Sequence, residues 1–310
     1  MFFLKNIFFG LLIGIANVIP GLSGATIALI LGIYEKLINT ISAIKKDTLL
    51  SVYNLNFKKI YQDLSLDFLI PISIGIISSA LLFAYTLEYF DLLGKNKEYT
   101  LSYFFGLILC SVPIIINMIP KFRYTYLFYF IFGITIAVSI AITPGIQQEN
   151  NNIIFIFFCG VVGITGMVVP GLSGSYLLLI LGNYNLLVKD SINKFHEDIN
   201  SFIYLLVFIL GMVFGMISLA KIISWLFKKY RNQTLSIIAG FILGSLIFIW
   251  PVRSEEATAY LEVINPIINE LNNSGNIMNY FNNYFHLIFF IVAGFLSLLS
   301  INFISRKKYV

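Results

Sequence analysis

Charge is scarce in this chain: 20 Lys and Arg and 15 Asp and Glu make up only 11% of its 310 residues. Soluble domains carry about a quarter of their residues as charges. A mean hydropathy of +0.88 and 58% hydrophobic residues leave too little polar surface to cover a water-soluble body, so the bilayer is the solvent. Cysteine is nearly absent. Cys110 and Cys159 each fall inside an apolar run, where they behave as small hydrophobes, and no disulfide or metal pair is expected of them. His196 and His286 lie at or beyond the ends of apolar segments. No metal-ligand spacing, nucleophile with an adjacent base, Walker pattern or dinucleotide fingerprint occurs. ATP-driven transport and catalysis therefore lack support, and no metal, cofactor or nucleic-acid partner is expected. The stretch Met1 to Asn17 lacks a small-x-small cleavage pattern and reads as retained.

What is abundant is apolar length. Crossing a hydrocarbon core of about 30 Å takes roughly 20 residues, and stretches of that kind lie near 68–90, 100–119, 124–143, 201–227, 234–252 and 285–304. Two further regions, 6–34 and 153–187, are each split by Pro-Gly-Leu-Ser-Gly into pieces that mostly fall short of spanning. They read as re-entrant helical hairpins. If the first hairpin enters and leaves on one face, fourteen of the twenty Lys and Arg fall on a single side. The positive-inside rule makes that side cytoplasmic, with both termini on it. The 36–66 loop, with five lysines among apolar residues, reads either as an amphipathic segment on that leaflet or as a topology determinant alone.

The chain repeats itself without gaps at an offset of 150 residues. VIPGLSGATIALILGIYEKL, residues 18–37, and VVPGLSGSYLLLILGNYNLL, residues 168–187, share twelve of twenty positions, where residue frequencies give about two. Each copy is followed by three crossings, with a weaker echo of Thr100, Leu101 and Gly106 in Thr234, Leu235 and Gly240. Three is odd, so the second copy starts on the opposite face. The expected fold is an all-α integral membrane protein of two inverted-topology repeats, 1–150 and 151–310, each a re-entrant hairpin plus three transmembrane helices, in one integrated domain. That plan is common among secondary transporters, whose substrates bind between the repeats.

Each Pro-Gly-Leu-Ser-Gly element breaks a helix, and a break in lipid is tolerated only against protein or a water-filled cavity. Proline ends the incoming helix, glycine lets backbone approach a ligand closely, and the next helix starts with unpaired N–H groups that suit a phosphate or carboxylate. The candidate anion-binding residues are Pro20, Gly21, Ser23, Gly24 and Thr26, with Pro170, Gly171, Ser173, Gly174, Ser175 and Tyr176. The competing interpretation is a pair of tight turns whose serines merely cap their own helices. Tyr34 and Tyr184, which end the matched segments, read as interfacial anchors rather than ligand contacts. Ionisable residues in apolar regions are costly and usually have a reason. Glu35, Glu88 and Lys221 are accordingly candidates for coupling or headgroup charge, although Lys221 could equally snorkel to the cytoplasmic headgroups.

IPGLSGATIALILGIYEKLI and VPGLSGSYLLLILGNYNLLV resemble the paired motifs of the bacterial polyprenyl-phosphate transporter family, PopT type, formerly a membrane domain of unknown function. The likeness covers essentially the whole chain. It implies a flippase of the cytoplasmic (inner) membrane that returns undecaprenyl phosphate to the inner leaflet, recycling the carrier used in cell-wall precursor export. Its partners would be the prenyl-phosphate lipid and membrane lipids, with a proton or sodium ion as the coupling ion. The family motif commonly has a second glycine after Ser-Gly where this chain has Ala25 and Ser175, so Pro, the first Gly, Ser and the second Gly are the firmer carry-over. Rival readings are a carrier of a small soluble anion, a membrane enzyme acting on prenyl phosphates, and a structural or partner-binding membrane protein. Coupling ion, tail length, oligomeric state and direction are not encoded in any motif.

Overall fold

A computed structural model describes residues 2–18, 23–44, 48, 51, 54, 56–89, 97–121, 123–146, 148–194, 196–249 and 277–307. Pro20 and Gly21 lie outside the described residues, as does the side chain of Glu88. All regular structure among them is helical: α1 Phe2–Val18, α2 Gly24–Ile30, α3 Tyr34–Ser42, α4 Phe57–Asp63, α5 Leu66–Tyr89, α6 Lys97–Ile116, α7 Tyr124–Ile142, α8 Ile153–Val168 and α9 Gly174–Ile180. A π-helical turn Asn185–Asp190 leads into α10 Ser191–Lys194, followed by α11 Ile199–Ser245, a 3-10 turn Leu246–Ile249 and α12 Ile277–Lys307. Cys110 and Cys159 are both buried and free.

Five of these helices are long and apolar enough to cross a membrane, and over the described residues they overlap all six expected spanning stretches. Two of those stretches, 201–227 and 234–252, fall on α11, which is two helices meeting at a kink at Tyr230, φ −134 and ψ 44. Lys228 to Thr234 contain neither glycine nor proline, and α11 confines its kink to that single residue. Its start is fixed by Asp198, whose carboxylate accepts from Ser201 N at 2.9 Å, Ser201 Oγ at 2.8 Å and Asn200 N at 3.2 Å. Those bonds to Ser201, then Asn200, hold the carboxyl below the usual aspartate range.

The chain forms two compact units, and each draws on both halves of the sequence. The first contains α1, Ser23–Ala80 and Gly145–Arg231; the second contains Leu81–Pro144 and the chain from Asn232 onward.

Glycine sets how closely the helices approach. In the first unit a Cβ on Gly10 of α1 would overlap the Ile72 carbonyl of α5, and one on Gly75 would overlap that of Ile7. The second copy repeats the contact, 150 residues on for the α1 partners and 136 on for those of α5: Gly160 of α8 meets the Phe208 carbonyl of α11, and Gly211 meets that of Phe157. In the second unit the pairing is crosswise, Gly106 of α6 against Ile291 of α12 and Gly294 against Tyr103, then Gly240 of α11 against Phe130 of α7 and Gly133 against Ile237. Such backbone-to-backbone packing is what holds helices together where lipid offers no hydrophobic driving force between them.

Two stability outcomes are expected. Gly160→Leu and Gly106→Leu, each forcing a side chain into backbone, should destabilise by about 3 kcal/mol or more, read as a fall in melting temperature in detergent. Asn6, 2% exposed on α1, has a buried amide nitrogen with no hydrogen-bond partner among the described residues. Removing such a group by Asn6→Leu should raise the melting temperature, since its desolvation costs about 1–3 kcal/mol.

Candidate functional site

The helices on either side of both breaks belong to the first unit. Each consists of an apolar helix of sixteen or seventeen residues, a break, and a return helix of only seven. Seven residues rise about 10 Å, so the return arm cannot span. It ends at a second glycine with left-handed backbone, Gly32 at φ 72 and Gly182 at φ 76. Beyond it α3 leaves α2 at 115°. The start is equally matched: Ser23 has φ −107 and ψ 128, Ser173 φ −108 and ψ 119. The duplication is therefore one of backbone conformation as well as sequence.

In the second copy the break is fully described. α8 ends at Val168 and Gly171 turns the chain at φ 87, a conformation that strains any residue with a Cβ. The turn is closed by Leu172 N donating to Val169 O at 3.3 Å. The start of α9 lies directly on α8, because a Cβ on Gly166 would overlap Gly174 N and one on Gly174 would overlap the Gly163 carbonyl. Ser173 caps α9 by accepting from Tyr176 N at 3.5 Å, and its Oγ lies 3.0 Å from Ser175 Oγ. Pro170 and Gly171 are buried, Ser173, Gly174 and Tyr176 are half-buried, and Ser175 is exposed. Two hydroxyls and the first turn of α9 thus form one accessible polar edge.

The first copy matches it at Ser23 and Gly32 but spends its donors internally. Gly24 N donates to Asn17 Oδ1 at 2.9 Å. Ser23 does not cap α2; its Oγ donates instead to the Gly166 carbonyl of α8 at 3.3 Å. Every residue of α2, Thr26 included, is buried. Tyr34 departs from the expected interfacial anchor: it is 2% exposed, its hydroxyl donates to Val168 O at 2.8 Å, and its ring packs edge-on against Phe227 at 5.6 Å. The carbonyls at the end of α8 need donors, and the first copy supplies two of them. Tyr184, by contrast, is half-buried.

The charged candidates are not gathered at the breaks. Glu35 at the start of α3 pairs with Arg231, whose NH2 and Nε both reach Oε1, at 2.9 and 3.0 Å. The partners are 40% and 45% exposed, so the pair contributes at most about 1 kcal/mol. It works beside a second tie between the same elements, Ser224 Oγ donating to Asn39 Oδ1 at 2.7 Å. Lys221 is exposed on α11 and has no hydrogen bond or ion pair among the described residues. No group of three or more His, Cys, Asp or Glu able to hold a metal occurs among the described residues.

Asn17 carried no signal in the repeat, since its counterpart is Met167; an amide in an apolar run seven residues before the glycine it caps was the only hint. Removing the acceptor by Asn17→Ala should leave the buried Gly24 N–H unpaired and cost about 1–2 kcal/mol. The check is the melting temperature, with Asn17→Asp, which keeps an acceptor there, losing less.

A family model described as undecaprenyl phosphate translocase-like matches residues 13–263. A protein of Vibrio cholerae named polyprenyl-phosphate transporter is 35% identical over 252 residues, 81% of this chain and 79% of its own length. A Staphylococcus aureus protein of the same name is 30% identical over 257 residues, 79% of this chain and 86% of its own. No solved structure matches the chain. With its two Pro-Gly-Leu-Ser-Gly breaks inside the matched span, the chain belongs to the undecaprenyl phosphate translocase-like family.

Proposed function

We propose that this protein moves a prenyl-phosphate lipid across the cytoplasmic membrane, the headgroup held at the broken-helix elements while the isoprenoid tail stays in lipid. The observation that carries the reading is the accessible edge of Ser173, Ser175 and Tyr176 at a helix break whose twin, Ser23 to Thr26, is closed by packing. The names of the two relatives support the same cargo. Hydroxyls and first-turn N–H groups bind phosphate through charge-assisted hydrogen bonds, which exceed neutral ones by about twofold.

We infer also that the copies lie in opposite orientations, with both termini cytoplasmic and each hairpin re-entrant. The reading is supported by the odd number of crossings after each hairpin and by the glycine pairings, which repeat copy for copy in the first unit and run crosswise in the second. Rocking of one copy against the other would then open the site to one leaflet at a time. Return of undecaprenyl phosphate to the inner leaflet is the direction implied by the resemblance of the paired motifs. Glu35, Glu88 and Lys221 are the charges from which a proton or sodium coupling step would be built.

The test is a leaflet-resolved transfer assay on reconstituted protein with undecaprenyl phosphate, run with and without proton and sodium gradients. Replacing Ser23 and Ser173 together by Ala should cut transfer by roughly 10- to 100-fold, the loss expected for hydrogen bonds to a charged group, with expression retained and the melting temperature lowered, since Ser23 also meets the Gly166 carbonyl and Ser173 caps α9. Undiminished transfer in that variant removes the serines from the mechanism. Equal transport of tail-free phosphates favours the soluble-anion carrier, and release of inorganic phosphate from the lipid favours an enzyme.

A further inference from the structure

The two copies share a backbone but not their hydrogen bonds. At the offset of 150, Ser23 corresponds to Ser173, Tyr34 to Tyr184, Gly166 to Ala16 and Val168 to Val18. Ser23 and Tyr34 donate to the carbonyls of Gly166 and Val168 at 3.3 and 2.8 Å. The reciprocal bonds, Ser173 to Ala16 O and Tyr184 to Val18 O, are not made: Ser173 Oγ is turned to Ser175 Oγ at 3.0 Å, and Tyr184 makes no hydrogen bond among the described residues. Burial follows the same split. α2 is wholly buried and Tyr34 is 2% exposed, whereas α9 buries only Leu178 and Ser175 is exposed.

We propose that Tyr34 and Tyr184 are alternating positioning residues: each in turn ties its own copy to the last carbonyls of the other copy's incoming helix, and transport exchanges one pair of bonds for the other. The proposal rests on the reading of the protein as an inverted-repeat transporter. A protein whose copies match in backbone can adopt two asymmetric states that differ by exchanging the copies' roles. Here the exchange breaks two hydroxyl-to-carbonyl bonds and frees Ser173 from Ser175, and it makes two hydroxyl-to-carbonyl bonds. The bonds between the copies balance, as a cycle requires if neither state is to trap the protein. In the state seen, the hydroxyl pair of the first copy seals its own break and leaves the second copy's polar edge free. In the other, Ser173 and Tyr184 would seal the second break and free Ser23, Ala25 and Thr26.

Accessibility tests this without any lipid cargo. Ala25 is 6% exposed, and its equivalent Ser175 is exposed. With the buried Cys110 and Cys159 replaced by Ala, single cysteines are introduced as Ala25→Cys or Ser175→Cys, and their labelling by a thiol reagent is timed in reconstituted vesicles. Tyr34→Phe removes a bond made only in the present state, so it should speed labelling at 25 and slow it at 175. Tyr184→Phe should do the reverse. Each should change the ratio of the two rates by about fivefold, the shift that loss of one net hydrogen bond produces. The Tyr34→Phe, Tyr184→Phe double variant should return the ratio to the wild-type value, because both states then lose one bond; damage to packing would add rather than cancel. Shifts in the same direction, no shift, or a double variant further from wild type than either single one would overturn the exchange. Opposite shifts without any transfer of undecaprenyl phosphate would keep the exchange and sink the lipid-transport reading instead.

Discussion

A helix interrupted in an apolar solvent must find new partners for the N–H and C=O groups it frees, since each unpaired one costs several kcal/mol in hydrocarbon. This chain interrupts itself twice, and much of the first unit can be understood as the answer. Carbonyls left at the end of α8 are met by Ser23 and Tyr34, which lie more than 130 residues away in sequence. The buried N–H that opens α2 is met by Asn17. Hydrogen bonds between the copies thus stand where bulk water would stand in a soluble protein. The copies are interlocked by the breaks themselves, and no large apolar core between them is needed to explain it.

The glycines answer a second demand of the same solvent. Lipid tails are as apolar as leucine, so helices gain little by burying side chains against one another, and close backbone contact has to supply the attraction. That explains why Gly10 and Gly160, and Gly75 and Gly211, hold equivalent places. Where the copies differ, the small residue changes sides. Gly14 faces Ser79 in the first copy, while in the second the contact is made by Ile164 against Gly215. The requirement falls on the sum of the two side chains at the crossing, not on either position alone.

The breaks, the duplication and the spanning stretches were legible in the sequence because each leaves a local mark: proline and glycine at fixed offsets, or some twenty apolar residues in a row. Gly32 and Gly182, identical positions of the matched segments, turn the chain after each return helix, a role not read from the sequence. What stayed hidden depends on partners distant in sequence. Tyr34 at the end of an apolar segment looks like an interfacial anchor, and nothing nearby shows that its hydroxyl is taken by Val168 O. Arg231 belonged to a cluster of basic residues read only as a mark of sidedness, although it is the partner of Glu35. The kink at Tyr230 falls where the charges of Lys228 to Arg231 interrupt the apolar run.

How a phosphate would be compensated at these breaks follows from the lengths involved. Each return helix has seven residues, about two turns, so it cannot supply a full macrodipole; its effect on an anion is the local one of the first-turn N–H groups. In the first copy one of those is already committed to Asn17. The cations described are no nearer to helping, since Arg231 is held by Glu35 and Lys221 faces outward on α11. Two hydroxyls and a few N–H groups cannot replace the whole hydration of a phosphate, whose complete desolvation costs far more than such bonds return. In the proposed reading the exposed edge at Ser175 would supply what is missing where it meets water, because the headgroup then keeps part of its hydration. On that proposal, access of water more than any fixed charge would be what sealing and unsealing of the two breaks controls.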